Sequence, residues 1–268
     1  MVALGGSNDL GRGDKLSRQT EQEPRRGRGL PAAAPWRPAK GFAARPTGHG
    51  HPRADCDGHP VIVFPGLGGN GAALAPLREH CQSLGHAAFD WGQGYKLRPP
   101  GDFDGLLSAL AAHTEDLLAG FDQSATLIGW SLGGLYAREV AKIVQPQVRQ
   151  VITIGTPFNT GADHVTAGAL FRVLNGKAMK GNTDLSTRLR TPPPMPTTSI
   201  YSCSDGVVNW RACRHEHASH MVQDVEIEGS HIGLGWNPAV HGVVADRLAQ
   251  PAGRWRPYAQ TGLAAPKV

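Results

Sequence analysis

The chain contains no apolar run near the roughly 18 residues that a membrane-spanning helix needs, so no transmembrane segment is expected. Only four cysteines occur, without dense spacing, which excludes a disulfide scaffold. Cys203 and Cys213 flank a loop, but free thiols are the expected state. The amino terminus lacks the apolar centre of a secretory signal, and a cytoplasmic location is the expectation. No Lys-Ser/Thr follows the glycine-rich stretch Pro65-Gly66-Leu67-Gly68-Gly69, and its spacing does not suit a dinucleotide either. His215, His217 and His220 do not match the His-Glu-x-x-His pattern of a helical zinc site and lie in a polar stretch that reads as an exposed loop. No metal and no cofactor are expected.

Net charge is also missing from most of the chain. The formal charge of +5 arises in residues 1–55, which hold ten Lys/Arg against five Asp/Glu; the remaining 213 residues balance. A basic folded face would suggest nucleic acid. A basic tail does not, and no nucleic-acid partner is expected. Residues 1–55 also carry six prolines and few large apolar side chains, too few to offset the entropy of ordering. They read as a disordered extension, followed by one domain over 56–258 and a flexible tail at 259–268.

Within that domain, short apolar runs alternate with helical stripes. Strands are expected at Val61–Phe64, His86–Trp91, Ala125–Trp130, Arg149–Ile154, Thr197–Ser202 and Met221–Ile227. Helices are expected through Leu74 and Leu84, from an Asp102 cap through Leu117, through Tyr136 and Ile143, and over Asn237–Gln250. Such alternation implies an α/β fold with a mostly parallel sheet and right-handed crossovers. Residues 157–196 break the rhythm: a stripe over Gly161–Leu174 gives way to polar sequence and then to Pro192-Pro193-Pro194. The chain after Pro257 reads as frayed.

One stretch carries chemistry. Gly129-Trp130-Ser131-Leu132-Gly133 lies between an expected strand and an expected helix, as a nucleophile elbow requires. A strand turning at once into a helix passes close to it, and side chains at 129 and 133 would collide there. The Ser131 hydroxyl is left at the tip, with the Leu132 amide at the positive end of the helix. A serine hydroxyl needs a base and an orienting acid. In such sheets these groups stand just past strand carboxyl ends. Asp205, in Ser204-Asp205-Gly206, and His231, in Gly229-Ser230-His231, meet that condition in the order Ser, Asp, His. Asp205 can also serve merely as a turn cap. A second oxyanion amide is expected after the first strand, at Leu67. His241 is assigned to the helix surface. Trp130, His164, Leu170 and Phe171 are candidate pocket residues.

Taken together, Pro65–Gly69, Gly129–Gly134, Gly155-Thr156-Pro157-Phe158, Ser204–Val208 and Gly229–His231 resemble the lipase and esterase branch of the α/β-hydrolase fold. The resemblance covers about residues 59–250. It departs at Phe64-Pro65-Gly66, where many relatives carry His-Gly, and shows no match to the calcium ligands of some bacterial lipases. It implies that Ser131, Asp205 and His231 form a catalytic triad and that the Leu67 and Leu132 amides bind an oxyanion. It further implies that residues 158–194 form a lid or cap, and that the substrate is a small or lipid-like carboxylic ester. The apolar lid residues Leu170, Phe171 and Leu174 suit an acyl site or ordinary core packing alike. Thioesterase, acyltransferase and amidase chemistry would use the same side chains, and a non-catalytic binding protein could keep the scaffold.

Overall fold

The computed structural model describes residues 56–67, 69, 71–93, 103–160 and 183–259. The extension at 1–55, the Asp102 cap, the stripe at 161–174 with His164, Leu170, Phe171 and Leu174, and the tail beyond residue 259 lie outside them. Among the described residues six strands make one sheet: β1 (Pro60–Phe64), β2 (Ala87–Asp90), β3 (Ala125–Trp130), β4 (Val148–Ile154), β5 (Thr197–Tyr201) and β6 (Val222–Glu226). Every neighbouring pair is parallel, in the order β2-β1-β3-β4-β5-β6. Among the described residues five α-helices flank the sheet: α1 (Ala75–Ser83), α2 (Phe103–Leu118), α3 (Leu132–Ile143), α4 (Thr183–Arg190) and α5 (Pro238–Leu248).

Strands such as β1 are apolar throughout because both faces are covered. Ile62, Phe64, Leu127 and Val151 pack against Leu107, Leu110, Leu135 and Leu189 on one side. Their alternates Val61, Val63, Ile128 and Ile152 pack against Leu77, Val240, Val244 and Leu248 on the other. The chain runs from β1 outward to β2 and then returns past β1 to place β3. That reversal makes the carboxyl ends of β1 and β3 the switch point of the sheet, the place where folds of this kind bind ligands.

Helix α4 was not foreseen, since Thr-Asp-Leu-Ser-Thr-Arg-Leu-Arg has little apolar character. Tertiary contacts hold it. Leu189 is fully buried, and Arg188 pairs with Glu139 at 2.7 Å and with Asp104 at 2.6 Å. Glu139, itself buried, also pairs with Lys142 at 2.6 Å. Next to it on α3, the fully buried Arg138 stacks on Phe158, 3.9 Å from the ring centre. Its guanidinium donates to the Leu189, Arg190 and Thr191 carbonyls and, at 3.1 Å, to His215 Nε2. His215 is therefore not the exposed loop residue expected from its polar neighbours. Its side chain is buried, with Nδ1 2.7 Å from Asp224, because a buried guanidinium must find acceptors. His217 and His220 are exposed. His241 on α5 stacks on His80, with ring centres 4.8 Å apart.

The amino ends of the strands carry a second polar cluster. His59 is fully buried; its Nδ1 lies 2.5 Å from Asp57 and its Nε2 2.8 Å from Thr126 Oγ1. Asp57 also pairs with Arg149. Nearby, Gln223 accepts from the Tyr258 amide at 2.6 Å and donates to its carbonyl at 3.0 Å. The backbone thus stays tethered at Tyr258, where fraying was expected after Pro257.

Burial lowers the His59 pKa to about 4; the Asp57 hydrogen bond opposes that shift, while His86 and Arg149 add to it. Near neutral pH the His59–Asp57 contact is thus a hydrogen bond from a neutral imidazole. An unfolded histidine titrates near 6.5, so between about pH 6.5 and 4 unfolding takes up a proton. The resulting stability is complete above that window and is lost as pH falls through it. Urea unfolding from pH 7.5 to 4.5 is expected to fall less steeply for His59→Asn than for wild type, by up to about 1.4 kcal/mol per pH unit.

Candidate active site

Ser131 has φ 54° and ψ −124°, and among the described residues no other non-glycine residue has positive φ. Such a backbone costs about 1–3 kcal/mol and persists only where its surroundings enforce it. The Ser131 amide donates to the Ile154 carbonyl at 2.8 Å, and Leu132 begins α3. A Cβ at residue 129 would run into the Gly134 backbone, and one at 133 into the Phe64 and Pro65 carbonyls. Gly134, which the elbow motif does not specify, is equally constrained, because a Cβ there would meet the Thr156 side chain. The doubled glycine was its only trace in the sequence.

The loop after β1 sits directly against this turn. A Cβ at Gly66 would lie 3.2 Å from that of Ser131, tighter than an ordinary contact, so glycine lets the loop approach without displacing its neighbours. Gly69 donates to the Gly66 carbonyl at 3.0 Å, closing a turn around Leu67. The Leu132 N–H, at the first position of α3, belongs to the set that a helix leaves without an intrahelical acceptor.

Asp205 and His231 converge on the same rim. His231 Nε2 lies 2.9 Å from Ser131 Oγ, and His231 Nδ1 lies 2.7 Å from Asp205 Oδ2. Both side chains are buried. The carboxylate assigns the proton to Nδ1 and leaves Nε2 to accept from the hydroxyl. Asp205 Oδ1 accepts from the Val207 and Val208 amides at 3.0 and 2.6 Å. Turn capping and contact with His231, which looked like alternatives for Asp205, are therefore combined, one on each oxygen. The His231 amide donates to the Asp205 carbonyl at 2.8 Å, joining the two loops through their backbones.

Three supporting residues escaped the sequence reading. Gly155, named above only within Gly155-Thr156-Pro157-Phe158, has φ +56°, and a Cβ there would lie 3.2 Å from His231 Nδ1 and 3.4 Å from Asp205 Oδ2. Asn237 caps α5 by accepting from Ala239 N at 2.8 Å, and its amide donates to the Glu228 carbonyl at 2.9 Å. Ser202 accepts at its hydroxyl from the amides of Ser204 and Gly229, both at 3.1 Å. Trp130 had been named for the pocket. Its indole N–H donates to the His231 carbonyl at 3.1 Å, and its ring lies 5.6 Å from the imidazole and 6.2 Å from Trp236.

Among the described residues Cys56, Asp57 and His86 offer donor atoms within 4.8 Å of one another, distant from Ser131 in the fold. Cys56 Sγ lies 3.4 and 3.7 Å from the two His86 nitrogens. Near-equal distances mean that neither ring lone pair is aimed at the sulfur, and the Asp57 oxygens already serve His59 and Arg149. This grouping fits side-chain packing better than a metal centre. All four cysteines are free, and burial pushes the Cys81 thiol up to about 12.

A family model described as "Alpha/beta hydrolase family" matches residues 61–265. No curated protein matches the sequence. The fold is similar to that of the mature lipase BlEst2 of Bacillus licheniformis, at 18% identity and a TM-score of 0.56, over 74% of this chain and 94% of that one. It is also similar to Aspergillus fumigatus lipase B, at 16% identity and a TM-score of 0.57, over 73% of this chain and 53% of the other. A monoacylglycerol lipase from Paleococcus ferrophilus aligns at 16% identity with a TM-score of 0.52, over 71% and 93% of the two chains. At these identities the likeness is one of fold.

Gly155→Ala is expected to lower the unfolding free energy by about 1–2 kcal/mol or more, since a Cβ at that φ is strained before it meets the imidazole. Denaturant unfolding measures it; an unchanged midpoint would show that the turn relaxes freely.

Proposed function

The chain belongs to the α/β hydrolase family, and from that premise we propose that it is a serine hydrolase acting on carboxylic esters. The observation that carries the reading is the continuous relay from Ser131 Oγ through His231 to Asp205, at 2.9 and 2.7 Å. His231 Nε2 takes the Ser131 proton as the hydroxyl oxygen attacks the acyl carbon. Asp205 keeps the Nδ1 proton in place and stabilises the imidazolium that forms. The Leu132 and Leu67 amides stabilise the oxyanion, and each such donor is worth about 10²–10³ in turnover. His231 then passes its proton to the leaving alcohol. Water, deprotonated by the same imidazole, releases the acid and restores Ser131.

The side chains around the relay support an apolar acyl group. Among the described residues five large apolar side chains are exposed, and Leu67, Val207, Ile232 and Trp236 stand on the loops that hold the oxyanion candidate, Asp205 and His231. The fifth, Ile143, ends α3. Scattered exposed apolar residues carry little meaning, whereas a collar about one site suits a lipid-like substrate. The insert at 158–194 belongs to the proposal as a cap over that site.

Wild type is expected to hydrolyse p-nitrophenyl esters and to label with a fluorophosphonate, while Ser131→Ala loses labelling and about 10⁴-fold or more of its turnover. Equal turnover in the two proteins removes Ser131 from the mechanism. Across a series of acyl lengths, kcat/KM is expected to rise from acetate to longer chains; a maximum at acetate would contradict the apolar site.

A further inference from the structure

We propose that Ser202 is a positioning residue that sets the Asp205 carboxylate against the His231 imidazole, an inference that rests on the roles given to Ser131, His231 and Asp205 above. The last rung between β5 and β6 is the Ile227 amide donating to the Tyr201 carbonyl at 2.8 Å. Beyond it the Gly229 amide donates to a side chain, the Ser202 hydroxyl, at 3.1 Å. The same oxygen accepts from the Ser204 amide at 3.1 Å, and the Ser202 carbonyl accepts from the Asp205 amide at 3.4 Å. Ser202 Oγ also lies 3.1 Å from Ser204 Oγ.

These contacts tie two loops through one atom. A hydroxyl oxygen offers two lone pairs. Here one is spent on the turn that presents Asp205, the other on the residue two before His231. The hydroxyl proton remains for Ser204 Oγ. Ser202 is only 1% exposed, so water cannot easily replace its hydroxyl, and without it the Gly229 amide keeps only its longer contact, to Ser204 Oγ at 3.3 Å. The other links between the loops are the Gly229 amide to Ser204 Oγ at 3.3 Å, Ser204 Oγ to the Gly229 carbonyl at 3.5 Å, the His231 amide to the Asp205 carbonyl and the carboxylate–imidazole bond itself. Removing the hydroxyl frees both loops to shift by fractions of an ångström, which matters at a site that depends on a 2.7 Å contact.

The test compares wild type with Ser202→Ala and Ser202→Thr in the full chain. Ser202→Ala is expected to lower kcat about tenfold with KM unchanged within about twofold. A carboxylate no longer held against the ring stabilises the imidazolium less, so the acid limb of the kcat/KM profile moves to lower pH. Ser202→Thr, which keeps the oxygen, restores both. A role confined to stability would lower the melting temperature and leave the acid limb in place; that result overturns the proposal. The imidazole titration of His231, followed by NMR and assigned with His231→Gln, gives a readout independent of turnover. If wild type hydrolyses no ester, the functional reading fails. The NMR titration then still decides for Ser202, since an unchanged His231 midpoint in Ser202→Ala rejects the positioning role and a lowered one upholds it. Should Ser202→Ala not fold, Ser202→Cys retains bulk with a weak acceptor and is read in the same way.

Discussion

Ser131 stands in its strained backbone only because β3, α3 and the loop after β1 meet with no side chains between them. Three glycines make that approach possible, at 129, 133 and 134, each with backbone or Thr156 where a Cβ would be. The positive φ at Ser131 follows from how tightly strand and helix are packed, and it turns the hydroxyl away from the helix toward the rim. The strain is offset by the core on both sides of the sheet, where the elbow strand β3 is buried from Ala125 to Gly129. Enlarging any of the three glycines pushes apart the elements that hold the serine.

The other half of the site is built by a different means. Asp205 and His231 lie 26 residues apart on loops that leave neighbouring strands, and each loop end is secured by hydrogen bonds. Val207 and Val208 amides fix one carboxylate oxygen, Trp130 holds the His231 carbonyl, and Asn237 joins the start of the His231 loop to the cap of α5. Gly155 supplies the space into which the pair fits. Trp130 matters on both sides, because it precedes Ser131 in the chain and its ring would contact a Cβ at Gly66, 3.1 Å away. Main-chain donors and acceptors predominate here, so the geometry is set by the path of the backbone.

Behind the elbow, α3 turns charged side chains into the protein. Arg138 and Glu139 would be costly to bury alone, and both are paired, with carbonyls and His215 in one case and Lys142 and Arg188 in the other. The ion pairs give a polar eight-residue segment a reason to be helical and tie its carboxyl end to the helix that begins just after Ser131. Phe158 and the Leu189–Thr191 backbone both rest on Arg138.

Read alone, the sequence determined the alternation of strands and helices, the parallel sheet, and the identities of Ser131, Asp205 and His231 as the residues to watch. Those features are local: apolar periodicity, glycines about a serine, and polar residues just past strand ends are all legible within a few positions. It did not determine α4, the buried His215, or the roles of Gly155, Ser202, Trp130 and Asn237. Each of these depends on a partner far along the chain, such as Arg138 for His215, 77 residues away, or His231 for Trp130, 101 residues away. A one-dimensional pattern records what a residue prefers, whereas a hydrogen-bond partner or a missing Cβ takes its meaning from what the fold brings alongside.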